Sequence, residues 1–261
     1  MKIHPFLKYV DLTIISVILA ATSPAFGQTG YDVAKSVDER PEPADMKTDL
    51  TMILTNSKGQ TRTSTLRLIN VDGGKKQMLW FLSPADDKGV SFLKIEHDDQ
   101  DDELRLWLPA FKKVRRISSN KKSEAFMGSD LSYEDMTNRE LNENNYELLK
   151  EDEVVLNIPC FVIQTVPKPI AESEYSRHVT WIAMDGRYPV NEESYDHAGK
   201  LLKSKTFIFK KQNDYWIPTE IYVENIQKTH NTRLNFKNIH IDTGVDDDLF
   251  QEKNLKRLPI E

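Results

Sequence analysis

Apolar residues recur at every second position through most of this chain, and that period decides its fold class. Leu50, Met52 and Leu54 alternate with Thr51 and Thr55, Leu66 and Leu68 with Thr65 and Arg67, and Leu104, Leu106 and Leu108 with Glu103 and Arg105. Such spacing sends successive side chains to opposite faces of a strand. Two runs, MLWFL at 78–82 and FVI at 161–163, are apolar on both faces, and strand-like runs follow at 177–184, 189–197, 201–209, 216–223 and 232–241. The connections are short and polar, and those at 56–60 and 71–76 carry the glycines that tight turns need. About eleven strands joined by short turns result. No βαβ alternation is present, which argues against a parallel sheet.

Helical signals are few. Residues 31–40 can form a short amphipathic helix ended by Pro41, and 246–255 a last turn or short helix. A third signal runs from Ser129 to Met136, where Ser132 and Asp135 have the spacing of a capping box. The expected architecture is mainly β: a large antiparallel sheet with a few short helices. A sheet of this size curls. It either closes into a barrel or stays open and covers its concave face.

The N-terminus carries Lys2 and Lys8, an apolar run from Leu12 to Ala21, and small residues at Ala25 and Gly27. Residues 1–27 read as a cleaved signal peptide, with Gln28 as the mature N-terminus and an uncleaved anchor as the rival reading. The run is too short for an ordinary membrane-spanning helix. Residues 28–261 then form a single domain in an oxidising compartment. The one cysteine, Cys160, lies in an apolar strand-like run and reads as a buried structural thiol. The chain has a formal net charge of -6, which argues against nucleic acid as a partner.

Catalytic motifs are absent. The chain has no G-x-S-x-G elbow, no P-loop and no H-E-x-x-H, and its histidines lack ligand spacing. Ser129 with Asp130 and a distant histidine is the best set for a hydrolase, and it is a poor one. The acidic tip at 98–103 lacks the glycine and distal glutamate of a calcium loop and reads as a solvated turn. No catalytic residue, metal or cofactor is expected.

Two features stand out. The basic run Lys112, Lys113, Arg115 and Arg116, with Lys121 and Lys122 close behind, sits in an acidic chain and reads either as a solvated hairpin or as a docking patch for an acidic partner or anionic head group. Just after it, Phe126 and Met127 fall on a glycine-containing, loop-like segment.

The runs FLSPADDKGVSFL and LRLWLPAFKKVRRISSNKKSEAFMGSDLSYEDM resemble the LolA-like group of outer-membrane lipoprotein-sorting proteins. The C-terminal WIPTEIYVENIQKTHNTRLNF and the closing DDDLF are also similar to that group, so the resemblance spans nearly all of residues 28–261. It implies an unclosed β-barrel whose concave side is covered by helices, with an apolar cavity for acyl chains. It further implies a soluble, non-enzymatic periplasmic carrier of lipid or lipoprotein, monomeric, in transient contact with membranes, moving its cargo between them and working with an inner-membrane exporter of the resistance-nodulation-division type. The alternative is an envelope-stress sensor of the same fold.

In that frame Phe126, Met127, Leu131, Tyr133 and Met136 are expected to face the sheet as a movable cover or, as the rival reading, a permanent plug. Trp80, Trp107 and Trp181 are candidate cavity walls. Arg115 or Arg116 is expected to latch the cover through Asp130 or Asp135. Lys112, Lys113, Lys121 and Lys122 form the candidate docking patch.

Overall fold

The computed structural model describes residues 28–98 and 100–259. The expected signal peptide, 1–27, lies outside them, as does Asp99 of the acidic tip. The helix α1 (Gly30–Asp38) opens on a capping box between Thr29 and Asp32 and ends three residues before Pro41. Its Val33 and Ala34 are buried. Gly30 is needed for this packing, because a Cβ there would stand 2.6 Å from the Glu147 backbone.

Thirteen strands follow: β1 (Asp45–Thr55), β2 (Thr61–Val71), β3 (Lys76–Ser83), β4 (Ser91–Ile95), β5 (Glu103–Leu108), β6 (Lys113–Ile117), β7 (Asn144–Val155), β8 (Ile158–Pro167), β9 (Arg177–Ala183), β10 (Pro189–Tyr195), β11 (Leu201–Gln212), β12 (Tyr215–Asn225) and β13 (His230–Ile241). They make one antiparallel sheet in the order 6-5-4-3-2-1-13-12-11-10-9-8-7. The two edge strands, β6 and β7, are consecutive in sequence and do not pair, so the barrel is unclosed. Residues 118–143 connect these edges.

Alternation fails to identify β4 and β7. β4 is five residues long and buried on both faces, so it has no period to read. β7 is a bulged, charge-rich edge strand with most positions exposed. Bulges and charges at an edge prevent sheet-to-sheet aggregation, and they also erase the apolar period.

The helical cover is smaller than expected. Only α1 is an α-helix among the described residues, and the rest are 3₁₀ turns. The segment expected as a helix, 129–136, holds one 3₁₀ turn at Glu134–Met136. The expected capping bonds still form there, with Ser132 N donating to Asp135 Oδ2 and Asp135 N to Ser132 Oγ. Just upstream, Met127 and Gly128 both have positive φ, which stops a helix from propagating through the connector.

The sheet buries apolar side chains on both faces. Leu66, Leu68, Leu79, Phe81, Phe92, Leu104 and Leu106 point to one side and form the main core. Ile69, Val71, Met78, Trp80 and Leu93 point to the other, beneath Phe250 and Leu255 of the C-terminal turns. Cys160 is fully buried in a small cluster with Ala183, Tyr188 and Val190, and burial raises its thiol pKa, as an inert structural cysteine requires.

Candidate functional site

The connector crosses the face that carries the main core. Phe126 is 2% exposed and packs against Phe92 at 5.3 Å, Tyr133 at 5.8 Å and Phe81 at 6.2 Å between ring centroids. Tyr133 is buried with it, and Met127 and Met136 pack at the margin. Leu131 is also buried. The five cover residues therefore all lie against or beside the sheet. The tryptophans do not join them. Trp80 and Trp107 belong to the core on the opposite face, and Trp181 lies by the Cys160 cluster. Trp80 alternates with Leu79 and Phe81, so strand geometry alone sends it away from the covered side.

Across β9 to β11 the same face turns ionic. Residues directly opposite one another share a face, so register defines rows that run across the strands. One row reads Leu54, Thr232, Val223, Lys205, Glu192, Thr180 and Ile163. The next, nearer the β12–β13 turn, reads His230, Asn225, Lys203, Ser194 and His178. Lys203, Lys205, Glu192 and His178 are all buried.

The connector supplies their partners. Asp135 accepts from Lys203 Nζ at 2.8 Å, from Lys205 Nζ at 2.5 Å and from the Tyr175 hydroxyl at 2.9 Å. Arg139 grips Glu192 through two bonds of 2.6 and 2.8 Å, and Lys205 reaches the same carboxylate at 3.1 Å. Further anchors flank this network. Asp130 accepts from Thr232 Oγ1 and pairs with His230 Nδ1, each at 2.7 Å. Glu96, itself paired with Lys94, accepts from Asn138 N at 2.7 Å. Glu134 accepts from Glu174 N at 2.7 Å.

The ion pairs expected of Arg115 or Arg116 with Asp130 or Asp135 do not form. Arg115 pairs with Glu124, and neither Arg115 nor Arg116 reaches Asp130 or Asp135. Both arginines sit on edge strand β6, whereas Asp135 lies over β11. Asp135 comes from the connector and its lysine partners from β11, while Arg139 and Glu192 reverse that arrangement. The hydrolase set is not assembled either: Ser129 Oγ bonds the Leu131 backbone, while His230 faces Asp130.

Burial by itself raises the Asp135 carboxyl, but Lys205 and Lys203 outweigh it and hold it far below the usual carboxylate range. Glu192 behaves alike, burial being overcome by Arg139 and Lys205. Burial lowers His178 well below its ordinary value, and the Arg139 guanidinium lowers it further. His178 is therefore neutral at pH 7. Unfolded, it binds a proton near pH 6.5, so stability should fall as pH drops below that value. Asp135 and Glu192 add a second loss, which begins as pH falls through about 4.5, where the unfolded carboxylates protonate. Thermal melts in His178→Gln are expected to lose the first limb and keep the second.

Beside this ionic region one apolar row is left incompletely covered. Phe207, Ile221 and Leu234 stand in register on β11, β12 and β13, all half-buried, next to the buried Met52 of β1. Phe236, two residues along from Leu234, is half-buried as well.

The sheet-borne residues Lys203, Lys205 and Glu192 were not legible as a site, although one signal was present. In the run KSK at 203–205 the lysines occupy alternate positions followed by Phe207, so charge takes the face that apolar residues hold elsewhere.

Comparison with known proteins agrees with this architecture. Residues 73–257 match a family model described as "uncharacterized protein". No curated protein matches the chain. Among solved structures, a domain from Vibrio parahaemolyticus assigned to outer membrane lipoprotein sorting is 33% identical, over 87% of this chain and 98% of that one, with a TM-score of 0.82. A DUF1329 family protein from Desulfovibrio piger is 30% identical over 87% and 97%, with a TM-score of 0.81. A LolA superfamily protein from Nitrosomonas europaea shares the fold at 16% identity over 86% and 98%, with a TM-score of 0.68. An unclosed antiparallel sheet, a connector laid across its face and relatives of this similarity over nearly their whole length lead to one assignment: the chain has the LolA-like fold and belongs to the family of the Vibrio outer membrane lipoprotein-sorting protein domain and the DUF1329 protein.

Proposed function

We propose that the protein is a periplasmic, non-enzymatic carrier that holds the acyl chains of a lipid or lipidated protein on the covered face of its sheet. It moves them between membranes as a monomer, in partnership with an inner-membrane exporter of the resistance-nodulation-division type. The half-buried row Phe207, Ile221 and Leu234 carries this reading. It is apolar, lies on the same face as the connector, and is the place where an acyl chain can begin to replace water without unfolding a strand.

Phe126, Met127, Leu131, Tyr133 and Met136 act as the cover in this reading, and Asp135 with Lys203 and Lys205 acts as the latch. A buried methylene contributes about 0.8 kcal/mol, and a charge-assisted hydrogen bond about 1.5–3 kcal/mol. Two to four methylenes therefore offset one anchor, so cargo can exchange against connector contacts and still be released.

Native mass spectrometry of residues 28–261, purified without detergent and followed by lipid extraction, tests the reading. A bound acyl lipid is expected, and uptake of a fluorescent fatty acid should be lost in Ile221→Glu and Leu234→Glu. These positions are half-buried, so the variants should keep the wild-type circular dichroism. A lipid-free protein that also refuses the fatty acid would exclude a carrier.

A further inference from the structure

The β5–β6 turn projects an apolar side chain among cations. Phe111 is 69% exposed, and Lys112 and Lys113 follow it, both exposed. The turn is tight: Lys112 N donates to Pro109 O at 3.0 Å, Lys112 has φ +50, and the Pro109 ring sits where a Cβ added at Gly89 would meet it at 3.3 Å. Phe111 is therefore held outward by the backbone.

The C-terminal turn adds to the same end of the sheet. It runs beside β5, with Glu252 paired to Arg105 and Lys256 over the Trp107 ring at 5.5 Å. Leu255 O accepts from Ser91 Oγ at 2.6 Å, and Ser91 stands opposite Trp107, so this turn lies near the Pro109 end of β5; Leu258, three residues on, is 47% exposed. Arg116, one strand across from Arg105, is exposed too. Among the described residues Lys112, Lys113, Arg116, Lys256 and Arg257 have no acidic partner, whereas Arg115 and Lys122 are neutralised by Glu124 and Asp102. Asp86 and Lys88, on the loop that carries Gly89, add no net charge.

Five unpaired cations around two exposed apolar side chains contrast with a chain whose net charge is -6. Other exposed apolar turns lack this surplus of cations: Val154 and Leu156 between β7 and β8 follow Glu151, Asp152 and Glu153, which would repel an anionic surface, and Ile170, 73% exposed, has Lys168 balanced by Glu172. We infer that the Phe111 turn and the C-terminal turn form a docking surface for an anionic lipid bilayer. Phe111 and Leu258 enter the headgroup region while Lys112, Lys113, Arg116, Lys256 and Arg257 meet the lipid phosphates. The surface rests on the carrier reading for its purpose, because a carrier must reach a membrane without being retained by it. A patch of this size suits weak, salt-sensitive contact.

Co-sedimentation of residues 28–261 with vesicles tests it. Vesicles of phosphatidylcholine and phosphatidylglycerol in equal parts should bind the protein, and vesicles of phosphatidylcholine alone should not. Each cation is expected to contribute about fivefold to the partition coefficient, so Lys112→Glu with Lys113→Glu should lower it by more than about twentyfold. Phe111→Ser should lower it on the order of tenfold and blunt binding at fixed charge. Both variants change exposed side chains and should leave fatty-acid uptake in solution intact, which separates failure of docking from failure of the carrier. Equal binding to both vesicle types, or charge-reversed protein that binds like the wild type, would overturn the proposal. Absence of vesicle binding would also overturn it and leave the patch to an acidic protein partner.

Discussion

Asp135→Ala is expected to cost about 3–5 kcal/mol of unfolding free energy, because it strands Lys203 and Lys205 without a counter-charge in a buried site. That exceeds the ~1 kcal/mol typical of a point substitution. Urea denaturation checks it, read as a shift in midpoint at unchanged slope. The triple variant Asp135→Leu, Lys203→Met and Lys205→Met should recover most of the loss, since replacing a buried ionic set with apolar side chains is often close to neutral. If the single variant is as stable as the wild type, the connector is not held by this network. Recovery of stability with loss of cargo exchange would give the ions a role in release.

Phe126→Ala should cost about 3–5 kcal/mol if the Phe81, Phe92 and Tyr133 cluster is part of the cooperative core. It also separates a cover from a plug. Hydrogen exchange at residues 118–143 should be faster than in β1 to β3 if the connector opens by itself, because local opening needs less free energy than global unfolding. In that case Phe126→Ala should speed exchange in the connector and spare the central strands. Uniform acceleration throughout the sheet would make Phe126 a permanent plug.

Strand existence was largely readable because side-chain alternation survives wherever one face is wet. It vanished at β4, which is buried on both sides, and at β7, whose edge position demands charges. The packing of Phe126 and Met127 against the sheet was legible because apolar side chains on a glycine-containing loop require something to pack against. The ionic anchors of the connector were not, since Asp135 and Lys205 lie 70 positions apart and only the order of the strands brings them together. The tryptophans misled because size suggests a wall, whereas position parity decides which face a side chain takes.

Every neighbouring pair of strands in the sheet is also consecutive in the chain, except one, β1 with β13. The molecule is therefore a book of two leaves, β1 to β6 and β7 to β13, each able to form from local hairpins. Its spine is the single ladder that joins the first strand to the last. The fore-edge lies opposite, between β6 and β7, and residues 118–143 tie it like a ribbon. Thickening the contents would spread the fore-edge and load the ribbon's knots, while the spine could stay still.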